Sequence, residues 1–96
     1  MSILDDIKAG KVDSADLFEY VSGNDVGLAI AAASAPNADG PTLELAAMDL
    51  DYRVRLAAAK NINTDKDTLD TLCLDENDEV AQQAQLTLEK QAEQGG

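Results

Sequence analysis

Short apolar stretches alternate along this chain with Gly, Pro, Asn and Asp, and no segment alternates polar and apolar residues with a period of two. The interruptions mark helix starts and stops, and the missing alternation argues against β-strands. We therefore predict an all-α protein of about seven short helices. Their segments are SILDDIKAG, DSADLFEYVSG, NDVGLAIAAASAP, GPTLELAAMD, DYRVRLAAAKN, NTDKDTLDTLCLD and NDEVAQQAQLTLEKQAEQ.

Small polar residues stand where these helices are expected to begin, because their side chains can accept hydrogen bonds from the free N–H groups of a first turn. Gly10 and Gly23 are expected stops, and Pro41 occupies a favourable first helical position. The predicted N-caps are Asp13 or Ser14, Asn24 or Asp25, Asp51, and Thr64 with Asp67 as a variant capping box.

A 26-residue shift aligns residues 24–49 with residues 50–75. Nine positions then match, against about two or three expected by chance for this composition. Leu28, Val54 and Val80 continue the apolar pattern at the same spacing. The matches are Asp25/Asp51, Ala31/Ala57, Ala32/Ala58, Ala33/Ala59, Asn37/Asn63, Asp39/Asp65, Thr42/Thr68, Leu43/Leu69 and Asp49/Asp75. A period of this length predicts stacked helical repeats, about three of them here.

The repeat divides the chain into one predicted domain, residues 1–93. Residues 1–23 form an N-terminal cap and half repeat, 24–49 and 50–75 are repeats, 76–93 form a C-terminal capping helix, and 94–96 are a flexible tail. Val80, Ala84, Leu88 and Ala92 give the last helix one apolar stripe on an otherwise polar surface, as a terminal repeat requires.

The segment DLDYRVRLAAAKNINTDKDTLDTLCLD resembles the leucine-rich repeat variant group, which is close in style to HEAT-like helical repeats. The resemblance covers residues 50–75 well and 24–49 fairly, where Ala29 replaces the arginine, and it is weak after residue 76. It implies a short right-handed α-solenoid, a class used mostly to bind other macromolecules. The residues that carry it are Asp51, Val54, Arg55, Ala57 to Ala59, Asn61 or Asn63, Thr64, Leu69, Leu72 and Asp75.

The formal net charge is −12, from 19 acidic and 7 basic residues. Such a chain repels phosphate backbones and anionic membranes, so we expect neither nucleic acid nor a membrane as a partner. The apolar share of 45% excludes a wholly disordered chain. A neutral or basic protein partner fits this charge.

The residues that most enzymes use are missing. There is no histidine, and Cys73 is the single cysteine, so we predict no catalytic triad, metal site, cofactor or disulfide, and a cytoplasmic location. NINTDKD and DENDE fail as calcium loops, because Gly and Glu are missing from the required positions. Acidic pairs fall at expected helix starts, where capping explains them. We predict a protein that is not an enzyme.

Four of the seven cations lie in residues 50–75. Tyr52, Arg53, Arg55 and Lys60 form the candidate protein-binding set, since an aromatic residue beside arginines is typical of interaction hot spots. The alternative is that the two arginines neutralise nearby acids and tie one repeat to the next. Those acids are Asp25, Asp49, Asp51 and Asp75.

The leading prediction is a non-enzymatic protein-interaction module, monomeric or weakly self-associating through the ends of its stack. A second hypothesis is an acidic mimic of nucleic acid that occupies a basic site on a DNA- or RNA-handling protein; it requires rows of acids across one face. A third is a small acidic carrier protein with a prosthetic group on Ser14. Against it, Ala15 replaces the expected Leu, and too few residues precede Ser14.

Overall fold

The computed structural model describes residues 2–95, which form seven α-helices and no β-strand. The all-helical prediction is therefore confirmed for this part of the chain. The helices are α1 (Ile3–Lys8), α2 (Ser14–Ser22), α3 (Val26–Ala33), α4 (Gly40–Ala47), α5 (Tyr52–Lys60), α6 (Lys66–Leu72) and α7 (Asp78–Gly95).

Aspartates begin most of these helices. The carboxylates of Asp13, Asp25, Asp39 and Asp51 each accept a hydrogen bond from a backbone N–H of the first turn. Asn77 does the same for α7, where its Oδ1 accepts from the N–H groups of Glu79 and Val80. Each bond satisfies a donor that the helix itself leaves free, typically worth about 1 kcal/mol.

One predicted cap is wrong, and another is decided between two candidates. Of Asp13 and Ser14, Asp13 caps α2, and Ser14 is its first helical residue. At α6 the cap position is Asp65, which makes no side-chain capping bond, whereas Thr64 is buried and donates its hydroxyl to the Ala58 carbonyl at 2.7 Å. The capping box predicted from Thr64 and Asp67 is therefore absent.

The helices lie in two layers. In one, α3 packs against α1 and α5, and α5 packs against α7; in the other, α4 packs against α2 and contacts α6. Contacts such as α2 with α3 and α6 with α7 join the layers. The molecule measures 36 × 30 × 19 Å, and its shortest dimension equals about two helix diameters.

The core between the layers is made of leucine and alanine. Leu17, Leu43 and Leu69 are fully buried and come from α2, α4 and α6. Ala32, Ala58 and Ala84 are fully buried on α3, α5 and α7, where their small side chains let the helix axes approach closely.

At the C-terminus, α7 continues to Gly95, so residues 94 and 95 of the predicted flexible tail lie in the helix. Gly96 lies outside the described residues. Between residues 2 and 95, no helix is both long enough and apolar enough to cross a membrane.

Candidate protein-binding surface

The loops of the molecule lie at two opposite edges, because successive helices run in opposite directions between them. We call the edge formed by loops 9–13, 34–39 and 61–65 the amide edge. The edge formed by loops 23–25, 48–51 and 73–77 is the leucine edge. Helix α5 runs from the leucine edge to the amide edge, a distance of about 13 Å for its nine residues.

Side-chain amides fasten the loops of the amide edge to one another. The Nδ2 of Asn37 donates to the Val12 carbonyl at 2.7 Å, and the Nδ2 of Asn63 donates to the Pro36 carbonyl at 2.8 Å. Buried Asn61 donates to the carbonyls of Ala33 and Ala35 at 2.9 and 3.0 Å. These bonds satisfy carbonyls that the helix ends leave free, so the amide edge is closed by its own hydrogen bonds.

Polar side chains of the leucine edge accept backbone hydrogen bonds that order its turns. The carboxylate of Asp49 accepts the N–H of Asp51 at 2.8 Å, and that of Asp75 accepts the N–H of Asn77 at 2.9 Å. Asp51 and Asn77 in turn cap α5 and α7. In the last two loops of this edge, every second position is thus occupied by a polar residue that orders the turn.

Positions next to these polar residues carry large apolar side chains that the fold leaves in solvent. Leu50 is 99% exposed, Leu74 is 87% exposed and Met48 is 73% exposed. At the first loop of the edge, Ser22, the last residue of α2, stands 26 residues before Met48, and Asn24 stands 26 residues before Leu50. The positions equivalent to Met48 and Leu50 in the 26-residue alignment therefore carry small polar residues.

Arg55 holds the last two loops of the leucine edge together. Its guanidinium bonds the Asp75 carboxylate at 2.8 and 3.2 Å and also donates to the carbonyls of Asp49 and Leu50 at 2.8 and 3.1 Å. Burial by itself would raise the pKa of the Asp75 carboxyl, but the hydrogen bonds from Arg55 and from the Asn77 N–H outweigh it, so this pKa lies below its ordinary value. Arg55 thus neutralises Asp75, one of the acids that the alternative to binding names, and links two loops of this edge.

The other three residues of the candidate set are exposed, in two places. Arg53 and Lys60 line a shallow groove between α3 and α5 together with Ile30 and Leu56, whereas Tyr52 begins α5 beside the leucine edge. The Arg53 guanidinium bonds the Asp51 carboxylate at 2.7 Å and lowers the pKa of Asp51 to about 2. The structure therefore does not bring the four candidates together on one surface.

Chemistry-bearing side chains are sparse in the part of the chain that the structure describes. Residues 2–95 contain no group of three or more His, Cys, Asp or Glu residues that is arranged to hold a metal ion. Burial raises the pKa of the half-buried Cys73 thiol, and Asp70 raises it further, so the thiolate form is disfavoured.

Reasoning from the sequence missed Met48, Leu50 and Leu74. Each lies within three residues of a helix end, where an apolar residue reads as a core position. One signal was available: the 26-residue alignment pairs Met48 with Leu74 and places Ser22 and Asn24 at the corresponding positions of the first loop. Polar residues at equivalent positions indicate that the position faces solvent.

Comparisons of the chain with models of protein families, with curated proteins and with solved structures found no match. The resemblance to leucine-rich repeat variant and HEAT-like repeats therefore stays a prediction from the residues.

Proposed function

We propose that this chain is a non-enzymatic protein-interaction module, built as a short right-handed α-solenoid of about three 26-residue repeats, and that it binds its partner at the leucine edge. The binding surface consists of Met48, Leu50 and Leu74, with Tyr52 at its border.

The spacing of equivalent structural features supports the repeat architecture. Asp13, Asp39 and Asp65 precede α2, α4 and α6, and their numbers differ by 26. Asp25, Asp51 and Asn77 precede α3, α5 and α7 at the same interval. The two-layer packing, in which each helix contacts the next but one, is the arrangement that stacked helix pairs adopt.

One observation carries the binding proposal: three large apolar side chains on one edge, Met48, Leu50 and Leu74, lie in solvent. Single exposed apolar residues are common, but three on two loops that are joined by the same arginine favour an interaction surface. Arg55 holds the backbone of these two loops in place. It donates hydrogen bonds to the Leu50 carbonyl and to the carboxylate of Asp75, the residue after Leu74.

The two alternative functions have weaker support. A mimic of nucleic acid requires acids spread in rows, whereas the carboxylates of Asp13, Asp25, Asp39 and Asp51 are engaged in capping. A carrier protein requires a serine that presents its hydroxyl for modification. Ser14 is exposed, but it lies in the first turn of α2 as an ordinary helical residue.

Site-specific photocrosslinking in the native cell tests the proposal. A photoreactive phenylalanine analogue is placed at position 50 in one sample and at position 86 in another, because Leu86 is also an exposed apolar residue but lies on α7, away from the loops. We expect a discrete protein adduct at position 50 that is missing at position 86. The same adduct must disappear when Leu74 is also changed to Ser.

Equal adduct patterns at positions 50 and 86 would contradict the leucine edge as the binding surface. A phosphopantetheine-sized mass increase on Ser14 in the protein isolated from its native cell would instead establish the carrier function.

A further inference from the structure

We infer that the partner presents a basic amphipathic helix to the leucine edge, with Lys or Arg side chains flanking its apolar anchors. This inference rests on the proposed function and adds the chemistry of the partner to it.

Negatively charged residues predominate around the exposed leucines. Residues 23–25, 48–55 and 73–79 contain seven carboxylates and two cations, Arg53 and Arg55. The carboxylates are Asp25, Asp49, Asp51, Asp75, Glu76, Asp78 and Glu79. Both arginines are already paired, with Asp51 and Asp75 respectively. The edge therefore offers unneutralised negative charge to a ligand.

Much of this unneutralised negative charge lies just after Leu74 in the chain. Glu76, Asp78 and Glu79 are exposed, and no ion pair involving them is found among residues 2–95. Glu76 lies two residues after Leu74, and exposed Asp25 lies on another loop of the same edge. A ligand that covers Leu50 and Leu74 is thus bordered by carboxylates, which favours cationic flanks and disfavours acidic ones.

The spacing of the apolar anchors favours a helical partner. Met48 and Leu74 follow the ends of α4 and α6, and neighbouring packed helices lie about 8–10 Å apart. Residues seven apart on an α-helix are separated by about 10 Å and share a face. A partner helix can therefore present one apolar face to both anchors, and Leu50 lies on the loop that begins at Met48.

Fluorescence anisotropy with three labelled synthetic helical peptides tests the inference. The first peptide carries Leu at heptad-spaced positions and Lys elsewhere on the polar face. The second keeps the leucines and replaces Lys with Glu, and the third keeps the lysines and replaces Leu with Ser. We expect the Leu/Lys peptide to bind at least about tenfold more tightly than either of the other two.

Three variants locate the binding on the protein. Leu50→Asn/Leu74→Ser must weaken the Leu/Lys peptide about tenfold, whereas the control Leu86→Gln must not. Glu76→Gln/Glu79→Gln must weaken it about threefold or more and reduce its salt dependence, because these carboxylates then lose their charge. Circular dichroism and denaturation of each variant verify that the fold is retained.

The outcomes separate this inference from the proposed function. Equal affinity for the Leu/Lys and Leu/Glu peptides, together with loss of both in the Leu50/Leu74 variant, overturns the basic partner but keeps the leucine edge. Binding of the Leu/Lys peptide that is unchanged in the Leu50/Leu74 variant overturns both. A dimer in sedimentation equilibrium that dissociates in the Leu50/Leu74 variant overturns the inference in favour of a second copy of this chain.

Discussion

The two edges of this molecule are built from the same kind of loop but treat their exposed groups in opposite ways. On the amide edge, backbone carbonyls of neighbouring segments accept hydrogen bonds from the side-chain amides of Asn37, Asn61 and Asn63. On the leucine edge, Arg55 and the capping residues fix the backbone and leave Leu50 and Leu74 in water. One edge is thus closed by hydrogen bonds within the chain, and the other leaves two leucines exposed.

The difference teaches where to look for function in a chain without catalytic residues. A buried polar group with all its hydrogen bonds made has a structural role, since removing its partner lowers the free energy of unfolding. An exposed leucine at a position where a polar residue serves equally well has no such explanation.

Removing Arg55 should have the largest effect on stability. Arg55→Met leaves the Asp75 carboxylate, whose side chain is only 8% exposed, without its cation. We expect a loss of about 3 kcal/mol in the free energy of unfolding, measured by urea denaturation. Arg53→Met is the matched control and should change it by less than about 0.5 kcal/mol, because the Arg53–Asp51 pair lies at the surface. Equal losses in the two variants would contradict the role given to Arg55.

The same pair gives stability a pH dependence of defined sign. The pKa of Asp75 is lowered in the folded protein, so the stabilisation is present above the ordinary aspartate pKa and is lost as the pH falls through the folded value. The difference in unfolding free energy between wild type and Arg55→Met should therefore be constant from neutral pH to about pH 5 and shrink below about pH 4. Comparing the two proteins cancels the general effect of discharging the other acids.

On the amide edge, Asn61→Ala should cost about 2 kcal/mol in unfolding free energy, because two buried carbonyls lose their donor. Asn63→Ala removes bonds of the same type at an exposed side chain and should cost less than about 1 kcal/mol. Denaturation of both variants measures the difference. A larger loss of unfolding free energy for Asn63→Ala than for Asn61→Ala would show that burial does not decide how much these hydrogen bonds contribute.

Two buried threonines provide a smaller, matched test. Thr87 donates its hydroxyl to the Ala59 carbonyl at 2.6 Å, so Thr87→Val should cost about 1 kcal/mol or more. Thr42 is equally buried, and although its hydroxyl contributes to the lowered pKa of Asp39, its geometry falls short of a hydrogen bond. Thr42→Val should therefore be neutral or slightly stabilising. Thermal unfolding of the two variants decides between these signs.

The exposed pair Arg53–Asp51 should show itself in titration. Replacing Arg53 with Gln removes the main hydrogen bond to the Asp51 carboxylate, so the pKa of Asp51 should rise from about 2 toward 3.8. Carboxyl chemical shifts followed by NMR between pH 1 and pH 6, a range that brackets both values by at least about one unit, measure it directly. An unchanged pKa would mean that the backbone N–H of residue 53 alone sets it.

The sequence was sufficient for the fold class and for several helix starts, because capping by Asp13, Asp25 and Asp51 depends on neighbours within three residues. It failed at Thr64, where Asp65 occupies the cap position of α6. Thr64 turns inward to the Ala58 carbonyl, which no local pattern reveals.

The candidate site was harder to predict for a related reason. The ion pair between Arg55 and Asp75 joins residues 20 apart and depends on how two loops meet. The exposure of Leu50 and Leu74 likewise depends on which way each turn faces after the helices have packed. An apolar residue near a helix end reads as core in a single sequence, so the leucine edge emerged only from the three-dimensional arrangement.

The central claim is that the side chains of Leu50 and Leu74 serve binding and contribute nothing to the stability of the fold. The most direct test gives Leu50 and Leu74 the residues of the first loop, as Leu50→Asn/Leu74→Ser, and measures stability and Leu/Lys peptide affinity on the same sample. We predict an unfolding free energy within about 0.5 kcal/mol of wild type and an affinity at least about tenfold weaker. A variant that loses stability and keeps its affinity would contradict the claim.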